Sequence, residues 1–340
     1  MNKVIIIAEI GPNHNGNLSL AKKYVDRISQ SGADYIKFQT SIPNDHISKF
    51  AEKASYQKKN SSNKKETQLQ MAKNISLSYK DFIELNNYCK KKKLKFLTTA
   101  FGLRSLSFIE KFNMDYIKIP SGEINNFEYL KKIPLKKKTK ILLSTGMSTI
   151  REISEAVSFL MNKGINKKKI ILLQCTSSYP VPFRDTNLSV IRSLKEKFSL
   201  EVGFSDHTLG TECAMTAIGL GARYIEKHVT FNNNSKGPDH QASLKINKFS
   251  EMVKQIRNIE LSLGDGRKKI EKSEKQNRVI ARNSIVAKKI IKKNEKFSKT
   301  NLSIKRPGNG IPSKFLSKLI GKKSNKNYRV DELIKMKVKY

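Results

Sequence analysis

The chain has 340 residues, 38% of them hydrophobic, which allows one large domain and a small one around ordinary cores. Its 67 basic and 29 acidic residues give a formal charge of +38, but the lysines fall in scattered runs (90–93, 136–138, 167–169) without interleaved aromatics, so a lysine-rich solvated surface is expected, with no nucleic-acid partner. The apolar run Val4–Ile7 is too short for a signal peptide, nothing approaches the ~20 residues of a membrane span, and Cys89, Cys175 and Cys213 form no C-x-x-C, so a reduced, cytoplasmic protein without membrane contact is expected.

Eight short apolar runs follow one another along the chain. They are 4–10, 33–39, 94–101, 114–121, 139–147, 169–177, 200–206 and 222–230. Most are rich in Ile, Leu and Val without clean alternation, as expected of parallel strands buried on both faces. Helical patterns separate them at 18–31 after Asn17, 78–92 opening on Ser78 and Asp81, 149–163, 187–197 and 211–221. The weakest unit is 125–138, with Pro134 and many lysines. Eight strands alternating with helices predict an α/β fold, a (β/α)₈ barrel. A Lys-, Asn- and Ser-rich connection, 41–77, leaves the second strand and reads as a lid or specificity loop, with a disordered segment as the alternative. A last helix, 246–263, ends a barrel domain of residues 1–265. A charged linker, 266–280, leads to a small β-rich module over 281–340, with a turn at "PGNG".

In such a barrel the chemistry sits where strands end and the following loops begin. The runs here end in polar groups: Glu9, Lys37, Thr99, Lys118, Ser144 and, past the last two, His207 and His228. Lys37 and Lys118, flanked by apolar residues, should point into the barrel and need counter-charges. Two buried cations suit a ligand carrying both phosphate and carboxylate. A Schiff-base lysine is the competing role. Thr99, Ser121, Ser144, Ser177 and Ser205 are hydroxyl donors suited to phosphate oxygens. His207 and His228, at adjacent strand ends, are candidate ligands for one divalent metal, whereas singly each could be a hydrogen-bonded core histidine. His14, His46 and His240 have weaker claims. Gly146 of "STGM" precedes a helix N-terminus that could bind phosphate, but no Walker loop or GxGxxG is present.

The motifs "AEIGPNHNG" (8–16), "IKFQT" (36–40), "IKIPSGE" (117–123), "ILLSTGM" (141–147), "SYPVPF" (178–183), "GFSDHT" (203–208), "EKHVT" (226–230), "GPDH" (237–240) and "KRPGNG" (305–310) occur in order. Together they resemble the sialic acid synthase family, bacterial N-acetylneuraminate synthases in particular. The resemblance implies a transferase that condenses phosphoenolpyruvate with an N-acetylated mannose-type sugar and releases phosphate. N-acetylmannosamine is the first expectation, and a 2,4-diacetamido-trideoxyhexose, giving a legionaminate, is the alternative. It implies that His207 and His228 bind Mn²⁺ (Mg²⁺ or Co²⁺ in its place), with Glu9 near the metal's water. Lys37, Thr99, Lys118, Ser121, Ser144 and Ser205 would hold phosphoenolpyruvate, and Gln39, Tyr179 and Asp239 the sugar. Ser177 departs from the Asn of some members. Glu9 or Glu123 would move the proton. The C-terminal module resembles an antifreeze-like (SAF) domain, and Arg306 would reach the sugar's N-acetyl group across a domain-swapped homodimer. A nucleic-acid-binding role for the charge, and a non-catalytic sugar- or ice-binding role for the C-terminal module, are the competing classes.

Overall fold

The computed structural model describes residues 3–60, 65–134 and 138–337. Of the lysine run 136–138, the first two residues lie outside the described ones. The chain divides into two units, Met1–Asp265 and Gly266–Tyr340.

The first unit is a barrel of parallel strands: β1 (Ile5–Gly11), β2 (Tyr35–Ser41), β3 (Lys95–Phe101), β4 (Tyr116–Ile119), β5 (Lys140–Ser144), β6 (Ile170–Gln174), β7 (Glu201–Asp206) and β8 (Tyr224–Thr230). Their order is β3-β2-β1-β8-β7-β6-β5-β4, with β3 and β4 meeting at the seam. All eight expected strands form; most are Ile-, Leu- or Val-rich, and in each nearly every residue is buried.

Helices α1 (Leu18–Ile28), α2 (Pro43–His46), α3 (Ser55–Asn60), α4 (Gln68–Ile75), α5 (Tyr79–Lys91), α6 (Leu103–Ile109), α7 (Phe127–Lys131), α8 (Ile150–Asn162), α9 (Val190–Phe198), α10 (Glu212–Gly219) and α11 (Ile246–Leu263) surround or cap it. Local chemistry sets where they start. The Asn17 side chain accepts from Leu20 N, and Ser78 with Asp81, and Thr149 with Glu152, close reciprocal capping boxes. The apolar stripe Ala21, Tyr24, Val25 and Ile28 then buries α1 on the strands.

Two features fix the barrel's interior. Tyr35, Tyr116 and Tyr224, from three alternate strands, meet edge to face at ring separations of 5.4 and 5.7 Å and plug the N-terminal end. Above them β7 carries Gly203, where a Cβ would sit 2.5 Å from Tyr224 Cβ and 2.6 Å from Leu173 Cδ2. Only glycine leaves room there. The polar residues of the same strands are thereby concentrated at the C-terminal mouth.

The 41–77 connection is not a bare loop. It holds α2, α3 and α4, the last opened by a Thr67–Gln70 capping box. Residues 61–64 within it lie outside the described ones.

The second unit has its own core of Ile285, Ile291, Phe297, Leu302, Phe315, Leu319, Tyr328 and Ile334. After the barrel strands comes the short β9 (Leu244–Lys245), which pairs with β8. In the second unit β10 (Ser284–Ala287) and β11 (Leu302–Lys305) pair antiparallel, and a short α13 (Leu316–Leu319) follows. The stretch read as a linker, 266–280, carries the start of a helix, α12 (Lys275–Ala281), entered through a Glu271–Glu274 capping box and burying no side chain. Its charge hid it: without an apolar stripe there is no period to read.

Candidate active site

Ladder register places the charged groups. Glu9 on β1 lies opposite Lys37 on β2 and His228 on β8, and Glu226 lies opposite Ser205 on β7. Residues two apart on a strand share a face, so Glu226 and His228 both enter the barrel mouth. There Lys118 Nζ lies 2.8 and 2.9 Å from the two oxygens of Glu226. Lys37 Nζ is 2.7 Å from Glu9 Oε2, off the hydrogen-bond direction and so an ion pair, and 3.6 Å from Glu226. All four groups are buried. Lys37 also donates to Thr99 Oγ1 at 3.0 Å, Ser205 Oγ donates to Glu226 Oε1 at 2.9 Å, and Gln39 Nε2 donates to Glu9 Oε1 at 2.9 Å.

The network splits the two carboxyls. Burial raises the pKa of Glu9, and Lys37 only partly offsets it. Glu226 is as deeply buried, but Lys118 and Lys37 outweigh burial and hold it below the usual carboxylate range. Burial works against both lysines: Glu226 and Glu9 still keep Lys37 above the ordinary lysine value, while for Lys118 burial, only partly offset by Glu226 and reinforced by Lys37, leaves it below. Glu9 is therefore the carboxyl that can take up a proton, and Glu226 stays ionised.

His207 follows β7 directly, as expected. His228 lies inside β8, not past its end, because the strand runs on to Thr230. The rings are 5.7 Å apart. Two imidazoles on one ion can have ring centres up to about 6.5 Å apart, given metal–nitrogen bonds of about 2.1 Å. His207 Nδ1 donates to the Thr176 carbonyl at 2.8 Å, which leaves the lone pair on Nε2. His228 Nδ1 is buried without a hydrogen-bond partner, 3.7 Å from Asp239 Oδ2. Burial pushes His207 down to about 4 and His228 well below its ordinary value, so both are neutral. Two neutral imidazoles, one with an orphaned nitrogen, fit a divalent metal. Among the described residues no group of three or more His, Cys, Asp or Glu could enclose an ion, so further ligands would be substrate or water. Gly11 allows this proximity: its φ is +53°, and a Cβ would lie 3.1 Å from His228 Cε1 and 3.3 Å from Glu9 Oε1.

These groups line one cavity of about 370 Å³, together with Ser121, Ser144, Ser177, Ser205 and Tyr179. Gly146 N donates to Ser121 Oγ at 3.1 Å, and a Cβ on Gly146 would collide with Ser177 Oγ at 2.4 Å. Tyr179 packs on His207 at 4.2 Å, and Tyr56 of α3 packs on Tyr179 at 5.0 Å. Beyond Tyr179 and Gln39 opens a second chamber of about 270 Å³ that reaches Asp239. Burial, then Glu9, raise the Asp239 carboxyl to about 7.

Two expected residues stand apart. The Glu123 carboxylate accepts from Asn126 Nδ2 at 2.6 Å and is not part of the cavity wall. Arg306 is exposed on the second unit. Among the weaker candidates, His14 and His46 line the second chamber, and His240 Nδ1 meets Thr230 Oγ1 at 2.7 Å. The three cysteines are free and buried, with Cys175 in the cavity wall. Glu226 is the functional residue the sequence reading passed over. Its signal was there in "EKH": an inward His228 requires an inward Glu226.

A model of the NeuB family matches residues 24–268, and one of the SAF domain matches residues 282–337. The chain is 48% identical to the N,N'-diacetyllegionaminic acid synthase of Campylobacter jejuni over 98% of this chain and 100% of that one. It is 38% identical to the enzyme of the same name from Legionella pneumophila, over 95% and 90%. Among solved structures, the N-acetylneuraminic acid synthetase of Leptospira borgpetersenii aligns with a TM-score of 0.68 and 31% identity, over 81% of this chain and 90% of that one. The chain thus belongs to the NeuB family of sialic-acid-type synthases, with a SAF domain behind its barrel.

Proposed function

We propose that this enzyme condenses phosphoenolpyruvate with 2,4-diacetamido-2,4,6-trideoxymannose, giving N,N'-diacetyllegionaminate and phosphate. The observation that carries the choice of product is the 48% identity to the Campylobacter legionaminic acid synthase, against 31% to the N-acetylneuraminic acid synthetase structure. N-acetylneuraminate, the first expectation from the sequence motifs, has the weaker support.

The buried cluster suits the first substrate. Lys37 and Lys118 are held by Glu9 and Glu226 until an anion arrives, and the phosphate and carboxylate of phosphoenolpyruvate can take over part of that pairing. Thr99, Ser121, Ser144, Ser177 and Ser205 would add hydroxyl donors around it. Gln39, Tyr179 and Asp239 line the way to the acceptor. His207 and His228 would hold a divalent metal, Mn²⁺ before Mg²⁺ or Co²⁺. When bound, such an ion supplies Lewis acidity to the acceptor's aldehyde oxygen.

C3 of phosphoenolpyruvate bonds to the aldehyde carbon, whose oxygen takes a proton and becomes a hydroxyl. The positive charge left at C2 is quenched by water, which loses a proton. The resulting tetrahedral centre expels phosphate by C–O cleavage. Glu9, with its raised pKa beside His228, is the group suited to carry these protons, and Glu226 stays charged to oppose the cation at C2. Glu123, engaged with Asn126, has no such access.

The barrel rim exposes Phe50, Met147, Phe183 and Leu209. A second copy covering this face, with Arg306 of the partner subunit at the acceptor's N-acetyl group, accounts for that apolar rim.

The test is phosphate release from phosphoenolpyruvate with Mn²⁺, with and without EDTA, comparing the diacetamido sugar with N-acetylmannosamine. Metal-dependent release favouring the diacetamido sugar is expected. A preference for N-acetylmannosamine moves the product to N-acetylneuraminate, and release with neither sugar overturns the synthase reading.

A further inference from the structure

The second chamber is chemically unlike the first. The phosphoenolpyruvate cavity holds Lys37 and Lys118, whereas among the described residues no lysine or arginine lines the chamber beyond Tyr179. This is notable in a chain with 67 basic residues. Burying a phosphate there would leave its charge without a partner. One wall is apolar. Met71 and Ile75, four residues apart on α4, face the chamber together with Ala72. The other contribution of α4 is an amide. Gln68 opens the helix and lines both cavities, and its side chain makes no hydrogen bond to a described residue. The neighbouring amides are engaged: Gln39 donates to Glu9, and Gln57 donates to Tyr56 Oη at 3.3 Å and accepts from Ala54 N at 3.0 Å. Gln68 is thus the amide free to meet a ligand.

We propose that α4 reads the end of the acceptor remote from its aldehyde. Gln68 hydrogen-bonds the C4 acylamino group, Met71 and Ile75 receive the C6 methyl, and a phosphorylated sugar is rejected. This rests on the synthase reading above and assigns its acceptor choice to three side chains. A site that hydrogen-bonds a substrate group discriminates strongly against the analogue lacking it, while an apolar pocket discriminates weakly per methyl. Gln68 is therefore the main discriminator and Met71 the secondary one.

The experiment is steady-state kinetics of the full chain with three acceptors: the diacetamido-trideoxy sugar, N-acetylmannosamine and N-acetylmannosamine 6-phosphate. Gln68→Ala is expected to lower kcat/KM for the diacetamido sugar about 10-fold while changing that for N-acetylmannosamine by less than about 2-fold, so that the ratio between the two acceptors falls at a fixed phosphoenolpyruvate concentration. Met71→Lys is expected to raise use of the 6-phosphate about 10-fold. Because Met71 is buried, melting curves identify a misfolded variant, and Gln68→Ala then decides alone. Equal losses for both unphosphorylated sugars on Gln68→Ala, or turnover of the 6-phosphate by the unaltered enzyme as fast as the others, would overturn the proposal. Phosphate release with no acceptor would instead sink the synthase reading on which it stands.

Discussion

Glu226 holds Lys118 with both oxygens and stands within 3.6 Å of Lys37, so one carboxylate restrains two buried cations. Breaking a buried pair by removing one partner costs about 3–5 kcal/mol, because the other charge is stranded. Glu226→Gln should therefore lower the melting temperature of the free enzyme. Phosphoenolpyruvate, supplying the missing negative charge, should raise the melting temperature of the variant more than that of the original protein. Thermal denaturation with and without ligand checks this. A smaller ligand-induced rise in the variant would mean that the two lysines are not the anion site.

The strands were legible because most are short runs of branched apolar or aromatic residues, and the capped helices because Asn17, Ser78 and Thr149 announce them. Other elements gave no such sign. Helix α6 begins after Gly102 with no side-chain cap and is only 7 residues long. Helix α3 sits in a Lys- and Asn-rich stretch whose period is faint, and the Thr67–Gln70 box that opens α4 was lost in the same composition. The pairing of Lys118 with Glu226 spans 108 positions and depends on barrel closure, which no local pattern encodes. Between elements, one strut lies hidden behind the site. Lys227, on the opposite side of β8 from His228, donates to Asp206 Oδ2 at 2.8 Å and to the Thr208 carbonyl at 2.6 Å. Asp206 Oδ1 in turn accepts from Thr208 N and Oγ1, so the turn carrying His207 is tied to the strand carrying His228. Lys227→Met should destabilise strongly. Adding Asp206→Leu should recover much of the stability, yet leave Mn²⁺ binding weakened about 10-fold, since groups that orient metal ligands matter on that scale. Calorimetric titration beside melting curves separates the two effects. Unchanged Mn²⁺ affinity in the double variant would confine the strut to folding.

At the scale of the whole molecule, the barrel and the SAF domain each have their own core, and the proposed function draws on a residue from each. His228→Ala should disable a barrel, and Arg306→Ala the contribution of a SAF domain. If two copies exchange these contributions, mixing the two inactive variants should restore about a quarter of the original activity: half the dimers are mixed, and each has one intact site. Recovery of none would show that each chain serves itself. A different consequence lies in how the second chamber, the proposed acceptor site, is built. Much of its wall comes from the single stretch 41–77, slung between β2 and α5, whereas Glu9, Lys37, Lys118 and Glu226 ride on the strands. Heredity can therefore treat that stretch as an exchangeable cassette. Lineages can diverge in the acceptor they take by rewriting one contiguous piece of gene, while the charged cluster on the strands stays untouched.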